Sequence, residues 1–464
     1  MINLKSLLCS SALTILAACS STTSQDTGQD TGQDTGQDTG QDTGPASDIV
    51  VKKADISKDS TLSLLQVSTQ SEATKIAEGI FMAEGFGNTF LITTSDGNVV
   101  IDTSMARSAK AHKALLDKVD ARAPKYIIIT HAHGDHIGGV AEWTSSDTQI
   151  IQQAHAQEFM HYQERLKGFF DRRNAAQFGF EVADINATPM PVKNFGAKIP
   201  ADILFEKSHS LKVGELSFEI ISTPSETYDA LSVWIPERKA VFVGDMFYES
   251  FPNIYTLRGT KPRWALDYVS AINTVLSLNP EILIPSHGNP IYGNLEINQA
   301  LERYRDAILY VHDAVVQGMN AGKSVDELTR NIRLPKALKL PEIYGRVDWS
   351  VRGIYESYVG WFDGNPSTML GLETQQAQAS LIKLAGGADK VSALAQGKLK
   401  AGDIDEALSL SDMVLNVYPD HQKTLRVKQS ALQTYLKASE NFNEAGWLQA
   451  GLRDVERKLE KTTD

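Results

Sequence analysis

The stretch THAHGDHIGG, Thr130 to Gly139, concentrates three histidines and one aspartate within positions 131–136. The whole chain of 464 residues contains ten histidines, so the cluster is unusual. A surface loop does not need it, and a hydrophobic core would have to supply a hydrogen-bond partner for every buried imidazole. The cluster therefore indicates that a ligand binds here. Imidazole and carboxylate groups are side chains that bind divalent zinc.

Other candidate ligands follow short apolar runs with the β-branched composition of buried strands. Between about Val50 and Tyr292 such runs alternate with helical patches, which predicts an α/β fold. In folds of this class the carboxyl ends of the strands converge on a ligand-binding crevice. We therefore expect the residues after these runs to meet. The runs 126–130, 218–223, 240–244 and 281–285 lead to the histidine cluster, Glu226, Asp245 and His287, respectively.

The cluster resembles the signature of the metallo-β-lactamase superfamily, an αββα sandwich, whose HxHxDH motif is matched by His131, His133, Asp135 and His136. The resemblance implies two Zn²⁺ ions per chain. The ligands implied for the first ion are His131, His133 and Glu226; those for the second are Asp135, His136 and His287; and Asp245 would bridge the two. Such a centre supplies a metal-bridging hydroxide as nucleophile. Asp135 is the candidate catalytic residue, because it can also orient that hydroxide.

A purely structural zinc site is the alternative interpretation of the cluster. Structural sites are usually closed by four ligands that include cysteine. The chain has two cysteines, Cys9 and Cys19, and both belong to the N-terminal leader segment described below. A catalytic centre is therefore favoured, and the mature chain can form no internal disulfide.

Two further motifs narrow the resemblance to the alkyl sulfatases. The run Thr223-Pro224-Ser225-Glu226 has glutamate where most superfamily members have histidine, and residues 253–263, NIYTLRGTKPR, resemble a segment of that family. Guanidinium groups bind a tetrahedral sulfate through paired, charge-assisted hydrogen bonds. Without the resemblance, salt bridges to nearby carboxylates would be the simpler interpretation of both arginines. The candidate substrate-binding residues are Arg258 and Arg263, with Asn253 and Tyr255 beside them.

The second half of the chain is predicted to be helical. Residues 355–366, YESYVGWFDGNP, resemble the end of the alkyl sulfatase dimerisation region, which implies a homodimer. In the family this region also closes over the active site of its own or of the partner chain, so Tyr344 is a candidate for substrate contact. From about Glu373 to Lys461 helix pairs have tetratricopeptide-like spacing. Their self-similarity is too low to predict a peptide-binding solenoid, and packing against the dimerisation region is expected.

The predicted domains are a catalytic domain at 50–295, a dimerisation domain at 296–370 and a helical C-terminal region at 371–464. Gly322 is expected to end the first long helix of the dimerisation domain, and Ser324 with Glu327 forms a capping box for the next helix. Apolar residues that recur every three or four positions in this first helix are predicted to be core rather than a cofactor site. They are Leu301, Tyr304, Ile308, Val311, Val315 and Met319.

The first residues resemble a bacterial lipoprotein leader. Residues 1–18 are predicted to be a signal peptide, and Leu16-Ala17-Ala18-Cys19 resembles a lipobox with Cys19 as the lipidated residue. Ser20 favours export to the outer membrane, on its periplasmic or its outer face. Five copies of Gln-Asp-Thr-Gly at 25–44 predict a disordered tether within residues 19–49. An ordinary secretory signal or a short membrane anchor is the alternative, although the apolar run is short for a membrane span.

The net charge of −12 argues against nucleic acid as a partner, since phosphate binding needs a basic face. The histidines outside the motif set are interpreted as surface or hydrogen-bonded residues rather than ligands, with His161 and His209 the least secure. They are His112, His155, His161, His209, His312 and His421.

The predicted function is zinc-dependent hydrolysis of alkyl sulfate esters to alcohol and inorganic sulfate. Two departures from the alkyl sulfatases stand out. Asp245 occupies a position where those enzymes usually have glutamate. The sequence also stops where many of them continue into a sterol-carrier-like domain, which leaves the alkyl chain length open. The alternatives are a dinuclear zinc hydrolase of phosphoesters, lactones or β-lactams, and a non-catalytic surface lipoprotein.

Overall fold

The structure is a computed structural model that describes residues 70–178, 199–370 and 374–461. The predicted signal peptide, Cys19 and the tether lie outside the described residues. Among the described helices, none is both long and apolar enough to cross a membrane.

The first sheet has seven strands within the described residues, in the spatial order β1 to β7. Strands β1 to β4 pair antiparallel, and β4 to β7 pair in parallel. The parallel half therefore directs its carboxyl ends to one edge. The strands are β1 (Thr74–Ala77), β2 (Ile80–Ala83), β3 (Thr89–Thr94), β4 (Gly97–Ile101), β5 (Pro124–Ile128), β6 (Gln149–Gln153) and β7 (Ile203–Phe205).

The second sheet has six strands in the described part of the chain, in the order β13-β12-β11-β10-β9-β8. Only β11 and β12 pair in parallel; the other neighbours are antiparallel. The central strands β10 and β11 are buried along their whole length, as expected for strands covered on both faces. The strands are β8 (Ser208–Val213), β9 (Leu216–Ser222), β10 (Leu231–Ile235), β11 (Ala240–Gly244), β12 (Ile282–Pro285) and β13 (Ile291–Tyr292).

The two sheets pack face to face on a core of β-branched and aromatic side chains. Phe90 of β3 meets Phe242 of β11 edge to face, with 5.1 Å between ring centroids. Helices cover both outer faces, so the predicted αββα sandwich is confirmed. The helices in this half are α1 (Ala106–Leu116), α2 (Gly134–Ile137), α3 (Val140–Trp143), α4 (Ala156–Arg165), α5 (Lys167–Gln177) and α6 (Ala265–Ser277).

A long helix, α7 (Asn294–Asn320), begins the helical half and packs on α6. Its predicted stripe is core: Leu301, Tyr304, Ile308, Val311 and Val315 are buried, and Met319 packs against them. Gly322 has φ +72° just beyond the helix, and Ser324 and Glu327 form the predicted capping box of α8 (Val325–Asn331). Helix α9 (Val347–Val359) packs on both α7 and α8.

The C-terminal region consists, in its described residues, of five helices in which α11 to α14 pack on their neighbours in sequence. The last of them also packs on α5 of the sandwich. The region therefore contacts the catalytic half of the chain as well as the dimerisation region expected from the sequence. The helices are α10 (Thr374–Leu384), α11 (Ala388–Ala401), α12 (Ile404–Val417), α13 (Gln422–Ala438) and α14 (Phe442–Glu460).

Candidate metal centre and active site

The histidine motif lies in the turn between β5 and α2. Strand β5 ends at Ile128, and His133 is the extended residue that precedes the helix, with φ −74° and ψ 150°. Helix α2 then begins at Gly134 and carries Asp135 and His136 in its single turn. This change from extended to helical backbone brings four potential ligands of one short motif to the same place.

The first candidate group contains His131, His133 and Asp245, whose ligand atoms all lie within 4.8 Å of one another. His131 Nε2 lies 2.8 Å from His133 Nδ1 and 3.7 Å from Asp245 Oδ2. Strand β11 ends at Gly244, which has φ +55°, and Asp245 is the next residue. A Cβ at Gly244 would lie 3.0 Å from the Thr130 side chain, so both the backbone angle and the close approach favour glycine.

The second candidate group contains Asp135, His136 and His287, again within 4.8 Å. His287 Nε2 lies 3.3 Å from Asp135 Oδ2 and 3.2 Å from Asp245 Oδ1. His136 Nε2 lies 3.4 Å from the same Oδ1. Asp245 therefore faces the first group with one oxygen and the second group with the other, which is the position predicted for a bridging ligand.

Two observations show that these residues fit divalent metal ions. His136 Nε2 and Asp245 Oδ1 are buried atoms that have no hydrogen-bond partner among the described residues. Such groups are costly to bury unless something binds them. The donors are imidazole nitrogens and carboxylate oxygens, which suit zinc, and the two groups contain none of the six other histidines.

The pKa values of the protein alone show that the carboxylates around the second group attract positive charge. Burial opposes protonation of His136 and His287, but the carboxylates beside them outweigh it and raise the pKa of His287 to about 10 and that of His136 well above its usual range. Burial lowers the pKa of His131 to about 4. Burial also opposes ionisation of Asp135 and Asp245, yet the neighbouring imidazoles hold both pKa values well below the usual range. Divalent cations bound here would balance both carboxylates.

Asp102, at the end of β4, supports the second group and was not anticipated from the sequence. Its fully buried carboxylate accepts hydrogen bonds from His136 Nδ1 at 2.8 Å, from the Thr130 hydroxyl at 2.7 Å and from the Ser286 hydroxyl at 2.8 Å. A further bond comes from the Thr130 N–H at 2.8 Å. The bond to Nδ1 fixes the imidazole tautomer and leaves Nε2 of His136 free to bind a metal.

Glu226 does not join the first group, where the sequence had placed it. One carboxylate oxygen is ion-paired with Arg263 Nη1, and the other accepts a hydrogen bond from the Tyr268 hydroxyl at 2.9 Å. Burial raises the Glu226 pKa, and Arg263 partly offsets this. The guanidinium and the phenol satisfy both oxygens, and Asp245 is the carboxylate beside His131 and His133.

The two predicted sulfate-binding arginines line the same cavity as members of both metal groups. Arg258 Nη2 lies 3.0 Å from His133 Nε2, and burial together with Arg263 lowers the Arg258 pKa to about 10. Arg263 Nη1 donates to the Asn253 carbonyl at 2.7 Å, whereas its Nη2 is buried without a hydrogen-bond partner in the described structure. Both guanidinium groups remain charged at neutral pH.

Both arginines line one cavity of about 390 Å³, within the usual size range of small-molecule sites. Four candidate metal ligands line it with them: His133, Asp135, Asp245 and His287. Asn253 and Tyr344 also line it. Burial raises the Tyr344 pKa to about 12, so its phenol is protonated at neutral pH. Tyr255 is not part of the lining formed by the described residues; its side chain packs against Gly353 of α9 instead.

Comparison with known proteins places this site in a family. A family model described as metallo-beta-lactamase superfamily matches residues 82–287, and one described as alkyl sulfatase dimerisation matches residues 324–458. The chain is 30% identical over 393 residues to a linear primary-alkylsulfatase of a Pseudomonas strain, an alignment that covers 80% of this chain and 74% of that protein. The chain belongs to the alkylsulfatase family. The prediction of an enzyme of this hydrolase family is thereby confirmed.

More distant alkylsulfatase relatives agree with this assignment. An alkyl/aryl-sulfatase of Saccharomyces cerevisiae is 24% identical over 387 residues, which cover 77% of this chain and 60% of that protein. The solved structure of a stereoselective inverting sec-alkylsulfatase from a Pseudomonas species has a TM-score of 0.76 at 20% identity and covers 83% of this chain and 66% of that one. This second likeness supports the alkylsulfatase fold, a sandwich followed by a helical region.

Proposed function

We propose that the protein is a zinc-dependent alkyl sulfatase that hydrolyses alkyl sulfate esters to an alcohol and inorganic sulfate. The observation that carries the proposal is that two charged arginines line a single cavity together with members of both candidate metal groups. A metal hydrolase of a neutral substrate would have no use for Arg258, a buried cation that forms no ion pair with a carboxylate among the described residues. The family relation supports the same ester class.

The arginines are proposed to bind the sulfate group. Arg263 offers Nη2, which has no partner among the described residues, while the Asn253 carbonyl and Glu226 fix its Nη1. Arg258, whose Nη2 lies 3.0 Å from His133 Nε2, supplies a second fork of donors. Because negative charge builds up on the sulfate as the ester bond breaks, two fixed cations stabilise the transition state more than the ground state.

Asp135 is proposed to orient the attacking water. Two zinc ions held by the candidate groups and Asp245 would supply a water of lowered pKa. The Asp135 pKa stays well below its usual range despite burial, because His136 and His287 are close, so its carboxylate is ionised and accepts hydrogen bonds. Its Oδ2 lies within 3.5 Å of both imidazoles, which holds the carboxylate in place.

The test is release of inorganic sulfate from a panel of linear alkyl sulfates by the purified, zinc-reconstituted full chain. Matched assays use a phosphate monoester, a lactone and a β-lactam, and Asp135→Asn serves as the inactive control. Sulfate release well above that of D135N supports the proposal. Turnover of only another ester class would instead support a different dinuclear hydrolase, and no turnover at all would support a non-catalytic lipoprotein.

A homodimer is proposed from the match to the dimerisation model at 324–458. Large apolar side chains are unusually exposed near the end of α9: Trp361 is 75% exposed and Leu370 is 72% exposed. Exposed apolar groups of this size commonly mark interfaces. Light scattering should give twice the chain mass for the wild type and a monomer for Trp361→Glu; a monomeric wild type would contradict the proposal.

A lipid anchor at Cys19 on the outer membrane is proposed from the leader sequence alone. Cells labelled with a fatty acid should incorporate label into the wild type and not into Cys19→Ala. Fractionation should place the labelled protein in the outer membrane. Equal labelling of the two proteins, or recovery of the wild type in the soluble periplasm, would contradict this.

A further inference from the structure

The first turn of the C-terminal helix α14 lines the catalytic cavity of its own chain. Phe442 and Asn443 share this lining with Asp245 and His287. Both are buried, with 5% and 2% of their surface exposed. The sequence pattern had assigned no role in the site to the region after residue 371.

Three consecutive residues tie this turn to the loop that carries Tyr344. The Asn441 side chain donates hydrogen bonds to two backbone carbonyls in the segment 342–344, at 2.7 and 3.0 Å. The Phe442 N–H donates to a third carbonyl of that segment at 2.7 Å. The Asn443 side chain donates to the Tyr344 carbonyl at 3.0 Å and to Asn253 Oδ1 at 3.2 Å. The turn is therefore fixed relative to a residue that also positions Arg263.

One turn further along, the helix touches the sandwich directly. A Cβ on Gly446 would lie 1.7 Å from the Gln177 carbonyl oxygen, so only glycine permits this approach of α14 to α5. The Gln177 side chain in turn accepts a hydrogen bond from the Arg258 N–H at 2.8 Å. The C-terminal region is thus in contact with the segment that holds each sulfate-binding arginine.

Phe442 contributes an apolar surface to the cavity. Its ring centroid lies 6.2 Å from that of Phe86, 6.0 Å from that of Phe178 and 6.1 Å from that of Tyr344. Phe86 also packs edge to face on His287, with 5.3 Å between centroids. Phe442, Phe86, Phe178 and Tyr344 therefore form an aromatic cluster directly beside His287, a candidate metal ligand.

We propose that Phe442 is a specificity-determining residue that binds the alkyl group of the substrate against Phe86 and Phe178. The inference rests on the proposed function and extends it. An alkyl sulfate has an anionic head and an apolar tail; the arginines account for the head, and the aromatic cluster is the adjacent apolar surface. The cavity has a volume of about 390 Å³, so alkyl sulfates whose tails reach the aromatic cluster are the substrate class that fits, and carbons beyond it should add little.

The test compares kcat/KM for linear alkyl sulfates from two to twelve carbons. In the wild type each methylene that reaches the aromatic cluster should raise kcat/KM roughly fourfold, until the cavity is full. Phe442→Ala should lose about tenfold or more with octyl sulfate and less than about twofold with ethyl sulfate. Phe442→Leu keeps apolar bulk, so its kcat/KM for octyl sulfate should lie between those of the wild type and F442A. This variant replaces F442A in the test if the alanine variant does not fold.

Leu452→Ala is the matched control. Leu452 lies on the same helix, is 8% exposed and does not line the cavity. Its truncation should lower the thermal midpoint while leaving the dependence of kcat/KM on chain length unchanged. The proposal is overturned if F442A and F442L lower kcat/KM by the same factor at every chain length. It is also overturned if L452A changes the chain-length dependence as F442A does.

Binding of alkanesulfonates separates this proposal from the proposed function, because they have a similar anionic head and the same alkyl tail but no ester bond to hydrolyse. Calorimetry should show octanesulfonate binding more tightly than ethanesulfonate to the wild type and losing about tenfold in F442A. If the wild type releases no sulfate yet shows this difference, the proposed reaction fails and the assigned apolar site stands. If F442A binds both sulfonates as the wild type does, the assigned site fails.

Discussion

Replacing Asp102 by asparagine should weaken metal binding at the second group, although Asp102 is not itself a candidate ligand. Asp102 Oδ2 accepts three hydrogen bonds, from the hydroxyls of Thr130 and Ser286 and from His136 Nδ1. An amide presents one acceptor oxygen and one NH₂ donor in their place. If the amide oxygen still accepts the hydrogen bond from the Thr130 N–H, the NH₂ group faces the two hydroxyls and His136 Nδ1.

The consequence falls on the imidazole. The two hydroxyls can rotate and accept from the NH₂ group, whereas His136 can accept at Nδ1 only if its proton moves to Nε2. Nε2 is the atom that lies 3.5 Å from Asp135 Oδ2 and 3.4 Å from Asp245 Oδ1. A protonated Nε2 does not bind zinc, and loss of such a supporting bond costs about 10–100-fold in metal affinity. That corresponds to about 1.4–2.8 kcal/mol.

Competition with a chromophoric chelator at fixed pH measures both zinc equivalents. Asp102→Asn should bind one equivalent close to wild-type affinity and the other 10–100-fold more weakly. Ser286→Ala is the control, since it removes one donor to the same oxygen but leaves the bond to His136 intact. Near-ultraviolet circular dichroism verifies that both variants are folded. A folded D102N that binds both equivalents with wild-type affinity would refute the role of Asp102.

Three further predictions concern the arginines, acid stability and the C-terminal helix. Arg258→Gln should lower kcat/KM for alkyl sulfates by about 10²-fold or more, whereas the exposed Arg303→Gln should leave it unchanged; equal effects would contradict the sulfate-binding role. Burial lowers the His112 pKa from 6.5 to about 4, so its contribution to stability is fully present above pH 6.5 and is lost as the pH falls toward 4. Between pH 6.5 and 4 the free energy of unfolding, measured by denaturant titration, should fall by about 3 kcal/mol less in His112→Gln than in the wild type. The same pH dependence of the unfolding free energy in both proteins would contradict this. Gly446→Ala should displace α14 and reduce sulfate release at least about tenfold, while Gly451→Ala, whose Cβ meets only the flexible Leu432 side chain at 3.3 Å, should be tolerated; normal activity of G446A would argue against the tight contact with α5.

The candidate metal ligands were predictable because most of them lie in one short motif or at strand ends. His131, His133, Asp135 and His136 are fixed relative to one another by local backbone geometry. Asp245 and His287 follow the apolar runs that became β11 and β12, a parallel pair whose carboxyl ends meet at one edge. The buried stripe on α7 and the capping box of α8 were likewise visible as local periodicity and spacing.

Contacts between distant segments were not predictable from local patterns. Asp102 is a single aspartate after a buried strand, and only the folded sheet brings it to His136 and Ser286. The sequence identified Glu226 as a functional residue, but it could not show that Arg263 and Tyr268 occupy its carboxylate. Nor does any local signal direct Tyr255 away from the cavity.

The contribution of Phe442 illustrates the same limit at longer range. Its partners Phe86 and Phe178 lie more than 250 residues earlier in the chain. The helical periodicity of α14 predicts a buried face, yet it cannot distinguish a face buried on neighbouring helices from one that completes a cavity. Only the packing of α14 on α5 reveals the difference.

The dinuclear centre is tested most directly by anomalous diffraction at the zinc edge from crystals of the zinc-reconstituted protein. We expect two peaks in each chain: one in contact with His131, His133 and Asp245, and one in contact with Asp135, His136, His287 and the other oxygen of Asp245. A single peak, no peak, or two peaks that do not share Asp245 would contradict the proposed centre.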